Sequence, residues 1–407
     1  MALTLLSHEV SDLCIGKPPL RCLSAVTATV SDAIAALKSY DEPFISVWSC
    51  NHDETNDDDN NNKCECECVG KISMADVICY LTKSDNNKAL SLSSAFNASV
   101  SVLLPKSRSI VVHVQSNCKL IEAIDLITGG AQNLIVPIQT KPNTKRKQTR
   151  NAVVSLTTTT ATHHKNNNQF CWITQEDIIR FLLDSISVFS PLPSLSISDL
   201  GVINSTHKIL SVDYYSSAAS AVTAISNAIA DNISVAVVDG ECDGEDPRTV
   251  LIGEISPMTL ACCDESAAAA LATLSAGDLM TYIDGGGPPE SLVRVVRNRL
   301  EEKGLVGLIS LVDSLSSSSG SSSSDEEAPA GRTKSSYGRS VSSAARMARK
   351  SVAIVCNRKS SLMAVMIQAI ARRVSYVWVV DEDGCLVGMV TFVDILKLFR
   401  EFLDDQN

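Results

Sequence analysis

The stretch Gly388-Met389-Val390-Thr391-Phe392-Val393-Asp394 decides the fold, because its pattern occurs three more times in the chain. The pattern is a small residue, an apolar residue directly before a hydroxyl, and a carboxylate three residues after the hydroxyl. One supersecondary unit that is used four times fixes the architecture of a chain. The other copies are Gly70 to Asp76, Cys171 to Asp177 and Gly253 to Thr259, the last with threonine in place of the carboxylate.

Each copy follows the same order of hydrophobic patterns. Apolar residues recur at helical spacing in 30–39, 120–128, 218–230 and 361–371, and short β-branched runs follow at 44–48, 133–137, 233–238 and 376–380. The hydroxyl and the carboxylate of the motif suit the start of a further helix, where backbone N–H groups need acceptors. The sequence therefore predicts an α/β (α+β) fold of four strand–helix–strand–strand–helix units.

On these motifs the chain resembles the CBS domain, named from cystathionine β-synthase. It looks most similar to the plant CBS-domain-containing proteins of the CBSX group, which are distantly similar to AMP-activated kinase gamma subunits. The resemblance implies four CBS domains that form two tandem pairs, called Bateman modules. The predicted repeats are 10–84, 97–187, 196–272, and 274–284 joined to 351–404.

Three stretches interrupt the repeats. An Asn/Asp-rich loop at 51–63 and a basic, Thr-rich loop at 140–169 are predicted to be solvated excursions, since loop-closure entropy grows slowly with length. The Ser-rich insertion at 285–350 is predicted to be mostly disordered, apart from a helix-like run at 290–303. Within the insertion, an arginine precedes Ser335 and Ser342 by three residues, which makes them candidate phosphorylation sites.

The composition favours an acidic intracellular protein. The 407 residues carry a net charge of −11, which argues against general nucleic-acid binding. No apolar run reaches the roughly 18 residues of a membrane span, and the first residues do not resemble a signal peptide. Fourteen cysteines without regular pairing indicate a reducing compartment. The expected location is the cytoplasm, or the cytoplasm and the nucleus.

The resemblance also implies a ligand. In CBS domains the motif carboxylate binds a ribose diol and the hydroxyl contacts a phosphate, so AMP, ADP or ATP is the expected regulatory ligand, with no cofactor required. The absence of the carboxylate predicts that the third site is empty. The residues predicted to bind nucleotide are Thr391, Asp394, Arg372 and Arg373 in repeat 4, Thr174, Asp177 and Arg108 in repeat 2, and Ser73 and Asp76 in repeat 1.

Helix capping alone would also explain the motif at any single copy, because Ser, Thr and Asp are common at helix starts. Ligand binding is favoured over capping in repeat 4, since phosphate needs cations and basic residues flank this copy. These residues are Arg358, Lys359, Arg372 and Arg373.

Two functions stay open on the sequence. The first is a non-catalytic energy sensor in which a nucleotide changes how a partner binds. The resemblance implies a kinase complex or a thioredoxin-type enzyme as that partner. The second is a ligand-free interaction scaffold with vestigial pockets. No catalytic domain remains once four CBS units are assigned, and alternating Cys64, Cys66 and Cys68 do not match structural zinc spacing, so neither an enzyme nor a metal site is expected. The chain could close into a disc alone or form a homodimer.

Overall fold

A computed structural model describes residues 7–39, 43–50, 66–83, 92–105, 111–138, 169–205, 209–240, 249–284, 288–318 and 352–405. The predicted order of strand, helix, strand, strand and helix is present four times. The first two repeats comprise β1 (Cys22–Ser24), α1 (Val30–Ser39), β2 (Phe44–Cys50), β3 (Cys66–Ser73) and α2 (Met74–Thr82), then α3 (Leu92–Phe96), β4 (Val111–His113), α4 (Leu120–Thr128), β5 (Asn133–Ile138), β6 (Gln169–Thr174) and α5 (Gln175–Asp184).

The second half of the chain repeats this order, with extra helices between repeats 3 and 4. The motif helix of repeat 3 is a single turn. The elements are β7 (Asn204–Ser205), β8 (Ser211–Asp213), α6 (Val222–Asp231), β9 (Val235–Asp239), β10 (Val250–Ile255), α7 (Pro257–Leu260), α8 (Ala267–Thr273), α9 (Ala276–Ile283), α10 (Glu290–Lys303), α11 (Val306–Ser318), β11 (Val355–Cys356), α12 (Leu362–Arg372), β12 (Tyr376–Val380), β13 (Leu386–Thr391) and α13 (Phe392–Asp404).

Each repeat forms one small mixed sheet. The first strand pairs in parallel with the second, across the intervening helix, and the second pairs antiparallel with the third. A parallel pair needs such a crossover connection, whereas an antiparallel pair needs only a turn. This is why loops of very different length are accommodated between the second and third strands.

The opening segment of each repeat, which contains Glu9, Ser99, Ser196 or Ser275, packs on the other repeat of its pair, so the two repeats of a pair exchange these segments. Isolated β-bridges join the residue before the first helix of one repeat to the opening segment of its partner: Glu9 to Lys119, Thr29 to Ser99, Ser196 to Ser361 and Ser217 to Ser275. The segments that begin at the predicted boundaries of 10 and 274 therefore lie against the other repeat of their pair. Residues 10–14 pack in the core of repeat 2, and 274–284 pack in the core of repeat 3, because their apolar side chains are buried there.

The four repeats close into a ring in the order 1, 2, 4, 3. The sheets of repeats 1 and 2 meet around Trp48 and Ile135, and those of repeats 3 and 4 meet around Ala236 and Trp378. These two pairs are the predicted tandem modules. Helices join the modules: α2 packs on α6 and α8, and α13 packs on α4 and α5. The start of every motif helix therefore lies near the centre of the ring.

The insertion at 285–350 is more ordered at its start than the sequence predicts. The helix expected at 290–303 is present as α10, and a second helix, α11, follows it. Val296, Leu300 and Val312 are buried in the core shared by repeats 1 and 3. The sequence did not predict α11, and both helices pack their apolar stripes on α8. The Ser-rich stretch, with Ser335 and Ser342, lies outside the described residues.

Among the residues that the structure describes, no helix is long and apolar enough to cross a membrane. Over the same residues, no group of three or more His, Cys, Asp or Glu side chains is arranged to hold a metal ion. The loops at 51–63 and 140–168 lie outside this description.

Candidate functional site

The motif builds a capping box at three helix starts. Ser73, Thr174 and Thr391 are the N-cap residues of α2, α5 and α13. In each case the hydroxyl and the backbone N–H of the cap both donate to Oδ2 of the carboxylate three residues later, with hydroxyl distances of 2.7, 2.8 and 2.5 Å. Helix capping is therefore present at all three copies. A ligand at these carboxylates would bind through the second oxygen.

In repeat 4 the chain itself covers the motif carboxylate. The side-chain amide of Asn204 donates to Oδ2 of Asp394. Asn204 lies on β7, in the opening segment of repeat 3, and β7 pairs with β13 at the edge of the repeat 4 sheet. The motif glycine Gly388 allows this close approach, because a Cβ there would lie 2.3 Å from the Asn204 carbonyl oxygen. The amide is thus a third donor to the carboxylate oxygen that the cap already uses.

In repeat 2 a lysine covers the carboxylate. Nζ of Lys17 lies 2.6 Å from Oδ2 of Asp177 and donates to the carbonyl of Trp172 at 2.9 Å. Lys17 belongs to the opening segment of repeat 1, so it occupies the place that Asn204 takes in the other module. The exchanged segments thus supply a built-in partner for two of the three carboxylates.

In repeat 1 the motif carboxylate faces an open cleft. A cavity of about 660 Å³ is bounded by β3 and α2, by the opening segment of repeat 2 and by α6 of repeat 3. This volume falls within the range of small-molecule pockets. Asp76, Lys71 and Lys83 line it. Arg108, which the sequence places at this opening segment as a phosphate contact, lies outside the described residues.

Two ionisable groups in this cleft have pKa values that burial shifts towards neutral pH. Burial raises the pKa of the Asp76 carboxyl to about 6, while hydrogen bonds from Ser73 and the charge of Lys71 oppose the rise. Burial likewise lowers the pKa of Lys71 to about 8, and Asp76 opposes that change. The Lys71 ammonium lies 4.7 Å from the ring centroid of Phe44 and donates to Oδ1 of Asn133 at 3.2 Å.

Two successive side chains of repeat 2 point polar atoms at this region without a partner. Oε1 of Gln132 and Nδ2 of Asn133 are buried and make no hydrogen bond with the residues described. Gln132 lines the cleft, and Asn133 lines a second cavity at the centre of the ring. Buried polar groups are rarely left unsatisfied in folded proteins. An unpaired acceptor beside an unpaired donor is the arrangement expected of a polar ligand site.

The central cavity is where the four repeats meet. It has a volume of about 160 Å³ and shares Lys71 and Asp76 with the cleft. Residues at the start of all four motif helices line it, namely Ser73, Thr174, Ser256 and Phe392. Helix N-termini favour anions, because their first N–H groups have no partner within the helix.

The predicted arginines of repeat 4 are divided by the fold. Arg373 adopts a left-handed conformation (φ 56°) at the end of α12 and lines the central cavity. Arg372 lies in the last turn of that helix, is exposed, and lines neither cavity. In repeat 3, Thr259 replaces the carboxylate and is buried, and Ser256 accepts from the N–H of Met258.

Sequence reasoning missed four residues that matter here. Lys71 directly precedes the apolar residue of the motif, and a charged residue within an otherwise apolar strand could have indicated a functional site. Lys17, Asn204 and Gln132 carried no such signal, because they reach the motif sites of another repeat only through the exchanged segments and the packing of the modules.

This fold of four repeats, each with a motif helix that starts at the central cavity, defines a protein built from tandem CBS domains. The CBS domain family matches residues 345–401. The chain is 70% identical to CBS domain-containing protein CBSX5 of Arabidopsis thaliana over 407 residues, with full coverage of both chains. It therefore belongs to the CBSX group of CBS domain-containing proteins, a regulatory class, as the sequence predicts.

More distant relatives extend this relation. CBS domain-containing protein CBSX6 of Arabidopsis thaliana is 28% identical, covering 97% of this chain and 94% of the relative. The SNF1-related protein kinase regulatory subunit gamma-like PV42b of the same plant is 21% identical, covering 82% and 76%. Protein MJ1225 of Methanocaldococcus jannaschii shares the fold, with a TM-score of 0.52, 14% identity, and coverage of 96% and 100%.

Proposed function

We propose that this protein is a non-catalytic regulator that binds an adenine nucleotide in the repeat 1 cleft and thereby changes how a partner protein binds. The observation that carries the proposal is the 660 Å³ cleft, into which the motif carboxylate Asp76 faces. The sequence favours repeat 4 as the main pocket. The amide of Asn204 on Asp394 moves the proposal to repeat 1.

The chemistry of the cleft suits a nucleotide. A carboxylate can accept both hydroxyls of a ribose diol, and this charge-assisted arrangement is stronger than a neutral hydrogen bond. Beyond Asp76, the adjoining central cavity offers Lys71, Arg373 and the motif helix N-termini to a phosphate group. The unpaired Oε1 of Gln132 would accept a hydrogen bond from the ligand, and the unpaired Nδ2 of Asn133 would donate one to it. The cleft would thus hold the nucleoside and the centre of the ring its phosphate.

The regulatory step would follow from where the cleft lies. Its walls come from repeats 1, 2 and 3, so a ligand there bridges the two modules. A nucleotide that binds one arrangement of the modules better than another shifts the balance between them, typically by ~1–3 kcal/mol. The kinase gamma-like relative supports a kinase complex as the partner. A thioredoxin-type enzyme and a location in the cytoplasm, or the cytoplasm and nucleus, remain predictions.

The test is isothermal titration of the full chain with AMP, ADP and ATP, using Asp76→Ala and Asp394→Ala as a matched pair. Each substitution removes the carboxylate of an equivalent capping box, that of α2 or that of α13, so each should cost about 1 kcal/mol of helix-cap stability. We expect Asp76→Ala to abolish binding and Asp394→Ala to retain it. Equal affinity for the two variants would contradict the repeat 1 site.

A ligand-free scaffold is the second candidate, and one observation favours it. Lys17 and Asn204 already occupy the carboxylates of repeats 2 and 4, as expected if those pockets are structural. On this reading none of the three nucleotides would give heat or a thermal shift at millimolar concentration. The protein would then act through surfaces that dock another protein.

A further inference from the structure

The first helix of repeat 4 presents an apolar face to the surface. On α12 every exposed side chain before the terminal arginine is apolar, and these four residues, called here the α12 face, are Met363, Ala364, Ile367 and Ala371. They fall within one arc of roughly 100° around the helix. Met363 is 40% exposed and Ile367 is 51% exposed. Clustered exposed apolar side chains mark interaction sites more often than isolated ones do.

The other three repeats show that the fold does not require this face. The corresponding helices are α1, α4 and α6, and they share the buried positions of α12 when aligned on their first residues. At the position of Ile367 they carry Ala35, Asp125 and Asn227. Their exposed residues are Ser31, Ala35, Lys38 and Ser39, then Glu122 and Asp125, then Thr223, Asn227 and Asp231. Since only Ala35 among these is apolar, the apolar face is particular to repeat 4.

Neighbouring segments extend the apolar surface at both sides of the helix. Strand β11 is the edge strand of the repeat 4 sheet, and Nε2 of Gln368 on α12 donates to the carbonyl of Val355 on β11 at 2.9 Å. Val355 and Val352 are both exposed. At the start of α12 the N–H of Leu362 donates to the carbonyl of Leu195, whose side chain is exposed as well.

Positive charges stand at both ends of the α12 face. Arg358 and Lys359 lie in the turn before α12, and Arg372 lies in its last turn. All three are exposed, and none of them forms an ion pair with any residue that the structure describes. None lines the cleft or the central cavity. An acidic chain thus carries an apolar stripe between two basic ends.

We propose that the α12 face is a docking surface for an amphipathic helix of a partner protein, with an apolar stripe that packs on Met363 and Ile367 and with acidic side chains at both ends. The 11 residues of α12 span ~16 Å, so a partner helix of similar length would cover the face. Such a helix contacts its target through residues at i, i+3 or i+4, and i+7. Its acidic ends would meet Lys359 and Arg372. The inference holds whether or not the repeat 1 cleft binds a nucleotide.

Charge favours this occupant over two others. In a twofold contact between copies of this chain, the basic ends of the two α12 faces would lie against each other, and like charges across an interface repel. The Ser-rich insertion rejoins the described chain at Val352, next to the face, but residues 328–350 carry only basic charges. An acidic partner complements the face, whereas these two do not.

The test uses two peptides and the full-length chain, without nucleotide. The first peptide has ~16 residues, to match the length of α12, with leucine at i, i+4, i+7 and i+11 and glutamate at both ends. The second is identical except that lysine replaces glutamate. Fluorescence anisotropy of the labelled peptides measures their affinities. We expect the acidic peptide to bind roughly tenfold or more tightly than the basic one, with an advantage that shrinks as salt is added.

Three protein variants locate the binding. Ile367→Glu should weaken the acidic peptide by roughly tenfold or more, because it places a carboxylate in the centre of the stripe. Ala35→Glu, at the matching position of α1, should leave the affinity unchanged. Lys359→Gln combined with Arg372→Gln should remove the preference for the acidic peptide. All these positions are exposed, so the variants should keep the wild-type melting temperature.

A cross-link identifies the occupant directly. With the photo-reactive p-benzoylphenylalanine in place of Ile367, illumination should link the full chain to the acidic peptide. A link to a second copy, or to residues 319–351 of the same chain, that excludes the peptide would overturn the proposal. It is also overturned if the acidic peptide does not bind, if both peptides bind equally, or if Ile367→Glu binds as wild type does.

Discussion

A buried carboxylate at the interface of repeats 3 and 4 should make the stability of this protein depend on pH. Glu254 lies on β10 and is 3% exposed. It accepts hydrogen bonds from the Tyr376 hydroxyl at 2.9 Å and from Nε1 of Trp378 at 2.6 Å, both on β12. Burial raises the pKa of the Glu254 carboxyl to about 7, even though these donors favour the ionised form.

The sign and the size follow from this pKa. The carboxyl has an ordinary value of 4.5, so between pH 4.5 and 7 it is protonated in the folded protein and ionised in the unfolded chain. The folded state therefore binds more protons, and the free energy of unfolding falls by about 1.4 kcal/mol per pH unit across this window. The total loss from this one group is about 3 kcal/mol, complete above pH 7.

Urea unfolding of wild type and Glu254→Gln, from pH 5 to pH 8.5, measures this contribution. Glutamine keeps the size of the side chain but does not titrate, so the wild-type advantage at pH 5 should shrink by about 2–3 kcal/mol as the pH rises to 8. Asp76, whose pKa is also raised, titrates in both proteins and cancels in the difference. Parallel stability curves for the two proteins would refute the buried, raised carboxyl.

Two further predictions concern packing. Gly388→Ala should lower the melting temperature more than Gly70→Ala, because the new Cβ meets the rigid backbone of Asn204 in the first case and a flexible leucine side chain in the second. Overpacking of this kind typically costs ~1–3 kcal/mol. Equal losses of melting temperature in the two variants would show that β7 moves easily. Leu300→Ala should cost ~2–5 kcal/mol in urea unfolding, because Leu300 on α10 is fully buried. Val306→Ala, at a 72% exposed position, is its control and should change little. A negligible loss at Leu300 would mean that α10 adds nothing to the core.

The sequence predicted the motifs of the candidate site one by one, but it did not predict how they are arranged relative to one another. Ser73 and Asp76 were identifiable because the spacing of hydroxyl and carboxylate is a local property of a helix start. The sequence could not show which carboxylate faces an open cleft, because this depends on residues such as Lys17 and Asn204 that come from other repeats. The preference for repeat 4 rested on nearby cations in the sequence, and of the two arginines that end α12 only Arg373 lines the central cavity.

The insertion shows the same division. The run at 290–303 has a helical pattern, so its secondary structure was predictable, and α10 confirms it. Its burial was not predictable, because the apolar stripe of a single helix does not say which surface will cover it. The structure covers it with α8 and the core of repeats 1 and 3, so Val296 and Leu300 become core residues.

The sequence by itself determined the repeat, the order of its elements and the membership of the chain in the CBSX group. These depend on local periodicity and on a short motif, both of which survive without knowledge of distant contacts. The tertiary structure alone decided how the opening segments are exchanged and how the modules close into a ring. It also decided which pockets the chain fills with its own side chains. The physical reason is that burial, pKa and pocket access depend on atoms that are far apart in sequence. Gly70 and Cys171 hold the same motif position, and only the tertiary structure shows that Gly70 packs against Leu104 while Cys171 is completely buried.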